Sequence, residues 1–260
     1  MKISVHIGIN GYYGAPLAGC VNDANDWFQV ARDRGFDSSL LLLDGDATKA
    51  NMTEAMRAAI APAKYGDLVL LTYSGHGSWI PDMDGDEPDG RDEVLVPVDY
   101  QNGVLSDDEL LALFRARARG VRVVFISDSC HSGSVSRFAP SLNPKRGGIR
   151  YLAPETFLPS RAVGRARQVE SLPARGKSRG ASVLLSGCRD EEYSYDAWFG
   201  ARANGAFTRV AIEELARTPW SYREWMQLIN LRLPSQDYPQ TPLLSGTSDQ
   251  RSWRPLEEGR

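Results

Sequence analysis

Cysteine and histidine are scarce in this sequence, with three of each among 260 residues. Cys20, Cys130 and Cys188 are odd in number and far apart. That excludes a dense disulfide framework, leaves at least one thiol free and points to a reducing compartment. Neither Cys-x-x-Cys nor His-x-x-x-His spacing occurs, which disfavours a zinc site. An excess of either charge is missing too: 30 basic against 33 acidic side chains leave a formal charge of −3, so a phosphate-coating surface and a nucleic-acid partner are not expected. No apolar run approaches the roughly 18 residues of a membrane span, since even Leu40–Leu43 stops at Asp44. Residues Met1–Ile9 lack the apolar core and small-residue cleavage site of a secretory signal and read as a strand, so a cytoplasmic location is expected.

What is present is an average globular composition, 42% hydrophobic and 24% charged, arranged in alternating strand and helix patterns. Ile3–Ile9, Ser39–Leu43, Leu68–Tyr73, Val94–Val98, Val121–Ser127 and Ser182–Ser186 read as buried strands. Helices are expected over Asn22–Arg34, stopped by Gly35, over Thr48–Ala61, stopped by Pro62, and over Ser106–Arg117. The last of these is capped by Ser106, with Asp107, Asp108 and Glu109 in its first turn. Two more follow near Ala206–Arg217 and Ser221–Leu231. The alternation predicts a single α/β domain with a mostly parallel central sheet and helices on both faces.

Ser134 to Gly180 breaks the rhythm. It is rich in Pro, Gly, Ser and Arg and holds Arg137, Lys145, Arg146, Arg150, Arg161, Arg165, Arg167, Arg175, Lys177 and Arg179 against only Glu155 and Glu170. It reads as an exposed basic loop, functional or linking two subdomains.

Two strand ends carry chemistry. Leu68–Tyr73 runs into Ser74-Gly75-His76-Gly77-Ser78, and Val121–Ser127 runs into Asp128-Ser129-Cys130-His131-Ser132-Gly133. Groups beyond the carboxyl ends of neighbouring parallel strands share one crevice, so His76 and Cys130 are expected to meet as a dyad. A lone cysteine after a strand is more often a small buried hydrophobe and a lone histidine a satisfied polar residue. Two of them beside glycines at adjacent strand ends are harder to explain that way. His6, Cys188 and the tryptophans read as packing residues.

The motifs Tyr73-Ser74-Gly75-His76-Gly77-Ser78 and Asp128-Ser129-Cys130-His131-Ser132-Gly133 resemble the histidine and cysteine motifs of metacaspases, caspase-related cysteine peptidases. The resemblance extends in order through Leu17–Ala24, Asp92–Asp99, Ser106–Leu110 and Ser186–Asp190. His76 precedes Cys130 by 54 residues, near the separation of about 50 seen in caspases. The resemblance implies a caspase-like fold of one domain. Residues 1–133 would form a large-subunit-like part, 134–180 a basic linker and 181–260 a small-subunit-like part.

It also implies a mechanism. The Cys130 thiolate would attack a peptide carbonyl, His76 would move the proton, and the backbone N–H groups of Gly77 and Cys130 would hold the oxyanion. No third catalytic member is evident. Cys20, Asp23, Ser74 and Asp128 match the family's first specificity pocket, and two carboxylates there imply arginine or lysine at the substrate's P1 position. Cleavage in the basic linker is expected at Arg161, Arg165, Arg167, Arg175 or Arg179. The chemistry requires no cofactor. Calcium enters as an activator at Asp92, Asp107 and Asp108, whereas the acidic stretch Asp82–Glu93 fails as an EF-hand because Glu87 stands at the sixth position, where glycine is needed. Partners are protein or peptide substrates, and a monomer is expected. The rival readings are an idle caspase-like interaction module and a thiol esterase.

Overall fold

A computed structural model of the chain describes residues 1–82, 90–131, 147–159, 162 and 180–259. The candidate processing arginines Arg161, Arg165, Arg167, Arg175 and Arg179 lie outside the described residues, as does most of the basic segment.

The central sheet is built from β1 (Lys2–Gly8), β2 (Ser38–Leu43), β3 (Leu68–Ser74), β7 (Arg122–Asp128), β9 (Val183–Ser186) and β12 (Leu243–Ser245), in the spatial order β12-β9-β7-β3-β1-β2. Every neighbouring pair is parallel except β12 on β9. Side chains alternate across the pleat. Val69 and Leu71 of β3 and Val123 and Phe125 of β7 enter one apolar cluster, while Leu68, Leu70, Val124 and Ile126 enter another on the opposite face.

Helices α2 (Lys49–Ile60) and α3 (Asp107–Arg115) cover the first face through Met52, Met56, Leu110 and Phe114. Helices α1 (Cys20–Asp33), α4 (Ala206–Leu215) and α5 (Tyr222–Asn230) cover the second through Trp27, Phe207 and Trp225. A short α6 (Ser248–Ser252) ends the helical set. Ser106 caps α3 in a full capping box with Glu109, as the sequence predicts. No helix among the described residues is long and apolar enough to cross a membrane.

Two small antiparallel sheets flank the carboxyl edge. One joins β4 (Gly77–Pro81), β5 (Arg91–Leu95) and β6 (Leu105–Ser106). The strand expected over Val94–Val98 is therefore displaced to Arg91–Leu95 and stands outside the central sheet. Pro97 has no N–H to continue a ladder. The other small sheet joins β8 (Gly148–Ile149), β10 (Tyr195–Phe199) and β11 (Arg202–Gly205). Here the structure corrects the sequence reading: Gly148 to Leu152, expected in an exposed loop, is built into the fold, and Arg150 is 0% exposed.

Candidate active site

Parallel pairing of β3 and β7 puts Ser74 opposite Asp128, so the segments beyond these two residues leave the sheet side by side. His76 and Cys130 lie two residues past those ends, and both are buried. The His76 N–H donates to the Tyr12 hydroxyl at 3.1 Å, its carbonyl accepts from Tyr73 Oη at 2.6 Å, and the Tyr12 ring packs on the imidazole at 4.6 Å between centroids.

The imidazole Nε2–H donates to the Ala15 carbonyl at 2.8 Å. That bond fixes the neutral tautomer, leaving the lone pair on Nδ1, and Nδ1 is buried without a hydrogen-bond partner among the described residues. Burial pushes the His76 pKa down to about 4, opposed by the Ala15 bond. The Ala15 carbonyl, a third group acting on the histidine, has no side-chain signature and was illegible in the sequence.

Cys130 offers two groups to this place. Its sulfur accepts from the Ser194 N–H at 2.7 Å, and its own N–H points at the Arg150 carbonyl oxygen at 3.1 Å. The same oxygen accepts from the Gly77 N–H at 3.0 Å. The two amides expected to form an oxyanion site thus converge on one carbonyl. Gly77 is required for this approach, because a Cβ there would lie 2.2 Å from the Cys130 carbonyl oxygen.

The predicted pocket residues gather around the Arg150 guanidinium. Nη2 donates to Asp23 Oδ2 at 2.7 Å and Asp196 Oδ1 at 3.0 Å, and Nη1 lies 3.2 Å from Asp128 Oδ2. Three carboxylates and one guanidinium are buried together, an arrangement that survives only when every charge is paired and hydrogen-bonded. Further donors hold each carboxylate, whereas Arg150 Nε is buried without a hydrogen-bond partner among the described residues. Asp23 Oδ1 takes the N–H of Gly205 and the amide of Asn204, each at 2.9 Å. Asp128 Oδ2 takes the N–H and hydroxyl of Thr208 at 2.9 and 2.7 Å. Asp196 takes the N–H groups of Ala18 and Gly19 at 2.6 and 2.9 Å.

Burial acts against the charge on Arg150, but Asp128, Cys20, Asp23 and Asp196 more than reverse that effect and raise its pKa well above the ordinary value. Burial lifts Asp23 to about 6, with Arg150 pulling it back and Asp128 pushing it further up. Cys20 is fully buried, its thiol raised by desolvation and opposed by Arg150. Ser74 is buried at the strand end beside Asp128, and its hydroxyl is not among the groups that bond the guanidinium. Asp196, the third carboxylate, was missed in the sequence; its hairpin strand β10 gives only a short apolar pattern.

The other cysteine, Cys188, is buried beside the site, and its thiol pKa is raised, first by its contact with Cys130 and then by desolvation. Asp92 lies buried on β5, and Asp107 and Asp108 open α3, which follows the β6 strand paired with β5. Residues 83–89, between β4 and β5, lie outside the described set. Among the described residues, no group of three or more His, Cys, Asp or Glu side chains is arranged to hold a metal ion.

Comparison with known proteins gives the fold and the class. The chain has a caspase-like α/β fold and is a cysteine-type endopeptidase by class. A structure of a protein from Geobacter sulfurreducens superposes with a TM-score of 0.76 at 32% identity, covering 100% of this chain and 99% of its own. Caspase-1 of Spodoptera frugiperda shares the fold at a TM-score of 0.52 and 14% identity, over 95% of this chain and 85% of that one. A family model described as the metacaspase, peptidase C14 domain matches residues 2–138. Metacaspase-1 of Mycosarcoma maydis is 31% identical over 93% of this chain and 69% of its own length, and metacaspase-1A of Aspergillus fumigatus is 35% identical over 92% and 67%. The chain belongs to the metacaspase family.

Proposed function

We propose that this metacaspase hydrolyses peptide bonds after arginine or lysine, with Cys130 as nucleophile and His76 as proton carrier. The observation that carries the reading is a guanidinium seated among Asp23, Asp128 and Asp196 while the carbonyl of the same residue takes the N–H groups of Gly77 and Cys130. Arg150 thus stands where the P1 residue of a substrate would stand, its side chain in a cation pocket and its carbonyl between two donors.

In the reaction the lone pair on His76 Nδ1 takes the thiol proton, and the sulfur bonds to the carbonyl carbon. The oxygen gains negative charge between the Gly77 and Cys130 amides, whose fixed dipoles need no reorganisation to hold it. Nδ1–H then protonates the leaving nitrogen, and water hydrolyses the thioester. Throughout, the Nε2–H bond to Ala15 fixes the ring and keeps the lone pair on Nδ1. A Lys ammonium would use the same carboxylates, with fewer donors and no planar fork.

Calcium activation through Asp92, Asp107 and Asp108, and the division of the chain around a basic linker at 134–180, belong to the same proposal. The test is an assay of the purified protein on fluorogenic peptides that differ only at P1, with paired amide and ester leaving groups. Arg and Lys peptides should be cut and Asp peptides left intact. Efficient cleavage after aspartate, or turnover of esters with no amide hydrolysis, would overturn the reading.

A further inference from the structure

We propose that Cys188 is a redox site, which closes a disulfide onto Cys130 when a peroxide oxidises the nucleophile. The inference rests on the proposed role of Cys130 for its effect on turnover, and it adds a second reaction in which a peptide substrate has no part.

Cys188 is a nucleophilic side chain that peptide hydrolysis does not use. Taken alone, a buried thiol is a small apolar filler. Its position here says more. Strands β7 and β9 pair in parallel up to Ser127↔Ser186, and the Gly187 N–H carries the ladder on to the Ser127 carbonyl at 2.9 Å. Cys130 and Cys188 lie just beyond these paired ends. Cys188 Sγ–H donates at 3.5 Å to the Ser129 carbonyl, which belongs to the peptide bond leading into Cys130. The two thiols are in hydrogen-bond contact, and neither is in a disulfide.

Both ingredients of the reaction have room. Hydrolysis of a thioester on Cys130 requires water at that sulfur, and hydrogen peroxide is larger than water by a single oxygen atom. Beside the pair, a cavity of about 230 Å³ is lined by Cys188 together with Ser129 and His131, the residues on either side of Cys130. A space many times that needed for one water lets the Cys188 side chain shift toward its partner without a clash, and accepts the water that the reaction releases.

The Cys130 thiol, its proton passed to His76 Nδ1, forms a sulfur–oxygen bond with one peroxide oxygen as the oxygen–oxygen bond breaks. The departing hydroxide takes the proton from His76 and leaves as water, so Cys130 is oxidised to a sulfenic acid and the peroxide is reduced. The Cys188 sulfur then bonds to the Cys130 sulfur. The sulfur–oxygen bond breaks, and its hydroxide leaves as water with the Cys188 proton. In sum, two thiols and one hydrogen peroxide give one disulfide and two waters. The Cys188 thiol is held protonated first by its contact with Cys130 and then by burial. Once Cys130 is a neutral sulfenic acid it is no longer an anion beside Cys188, and the first of these causes is reduced.

The disulfide silences the nucleophile and also protects it. A sulfenic acid left without a neighbouring thiol proceeds to the sulfinic acid, which thiols do not reverse, whereas a disulfide returns to two thiols on reduction. Cys188 therefore turns a lasting loss of the enzyme into a recoverable one.

The test treats the reduced, purified full chain with increasing hydrogen peroxide, alkylates the remaining thiols under denaturing conditions and maps the peptides by mass. The expected product lacks two hydrogens and carries Cys130 joined to Cys188, with Cys20 alkylated. Cys130→Ala should form no link. In parallel, dithiothreitol should return most of the lost turnover of an arginine peptide to the wild type and almost none to Cys188→Ala, whose Cys130 should be found as sulfinic acid. Cys188→Ser takes the place of the alanine variant if the latter shows no folded thermal transition. Thiols that all remain open to alkylation, a link from Cys130 to Cys20, or equal recovery in wild type and Cys188→Ala would overturn the inference. If the reduced protein cuts no arginine peptide, the proposed specificity falls, and the mass map alone decides the disulfide.

Discussion

The Arg150 guanidinium donates to Asp23 across 127 residues of sequence, at 2.7 Å and fully out of water. Asp23 lies in the first turn of α1, and Asp196 meets the same nitrogen from β10. Recognition of a cation here is thus assembled from a helix start, the end of β7 at Asp128 and a hairpin. Breaking one partner of such a buried pair costs about 3–5 kcal/mol, because the other charge is left uncompensated.

The pocket should accordingly lose far more than one hydrogen bond when a carboxylate is removed. Asp23→Asn and Asp196→Asn are each expected to lower kcat/KM on arginine peptides by about 2–5 kcal/mol, the range for truncating a buried hydrogen-bonded charge pair. Gly205→Ala tests the same pocket by bulk, since its Cβ would stand 2.0 Å from Asp128 Oδ2 and 2.5 Å from Arg150 Nη1. Steady-state kinetics on Arg and Lys peptides checks all three, and unchanged kcat/KM in Asp196→Asn would remove that residue from the pocket.

Cys130→Ala and His76→Ala should each abolish hydrolysis, by a factor on the order of 10³ to 10⁶ in kcat, since nucleophile and proton carrier act as a unit. Combining them should cost little beyond either alone. Both variants should keep a cooperative thermal transition. A Cys130→Ala protein that turns over normally would show the thiol to be a packing group.

How much of this was legible in the sequence depends on what each part is made of. The apolar runs of β3 and β7 and the glycines beside His76 and Cys130 announced the paired strand ends, because period and turn chemistry are local. The Gly77 and Cys130 amides followed from those motifs. Arg150 was one of ten basic residues between Ser134 and Gly180, and nothing local distinguishes it. Its burial comes from the Ser194 carbonyl that its N–H meets, beside the Ile149–Tyr195 pair, and from carboxylates 22 and 127 residues before it and 46 residues after it. The Ala15 carbonyl is a backbone acceptor that any residue would supply, so composition could not reveal it.

The pH profile should have two acid steps of different origin. His76 is held down to about 4, so its imidazole is neutral and able to accept the thiol proton well below neutrality. Asp23 is lifted to about 6, so it takes up a proton first as pH falls, and the pocket loses one of its negative charges. Turnover of arginine peptides should therefore fall as pH drops through about 6, mainly through KM, and fall again near 4 through kcat. A single loss near 4 with constant KM would show that Asp23 stays ionised while substrate is bound.

Calcium gives a separate test at Asp92, Asp107 and Asp108. If these acids share a cation, millimolar calcium should raise the rate and show binding heat in calorimetry, and Asp108→Asn should weaken both, because only a bound cation offsets neighbouring carboxylates in one place. Equal rates in calcium and in excess chelator, without binding heat, would leave Asp107 and Asp108 as acids that favour the start of α3.

The last expectation concerns what holds the molecule together after a cut in the basic segment between β7 and β9. The two pieces divide the central sheet between β7 and β9, which pair in parallel from Val124↔Val183 to Ser127↔Ser186. Strand β9 is not an edge, for β12 pairs with its other side. The second piece also carries α4 and α5, whose Phe207, Val210, Trp225 and Ile229 share one cluster with Trp27, Leu68, Leu70 and Val124 of the first. That apolar surface lies on the face of the sheet away from α2 and α3, so cutting the connection exposes none of it. Burial of four such side chains contributes roughly 1.5–3 kcal/mol each, and a nick changes the chain entropy without removing a contact. The fragments should therefore separate on a denaturing gel, co-elute on native size exclusion, and keep a single thermal transition. Elution as two species would place the stabilising contacts within each piece instead, leaving the β7–β9 pairing too weak to hold without the connecting chain.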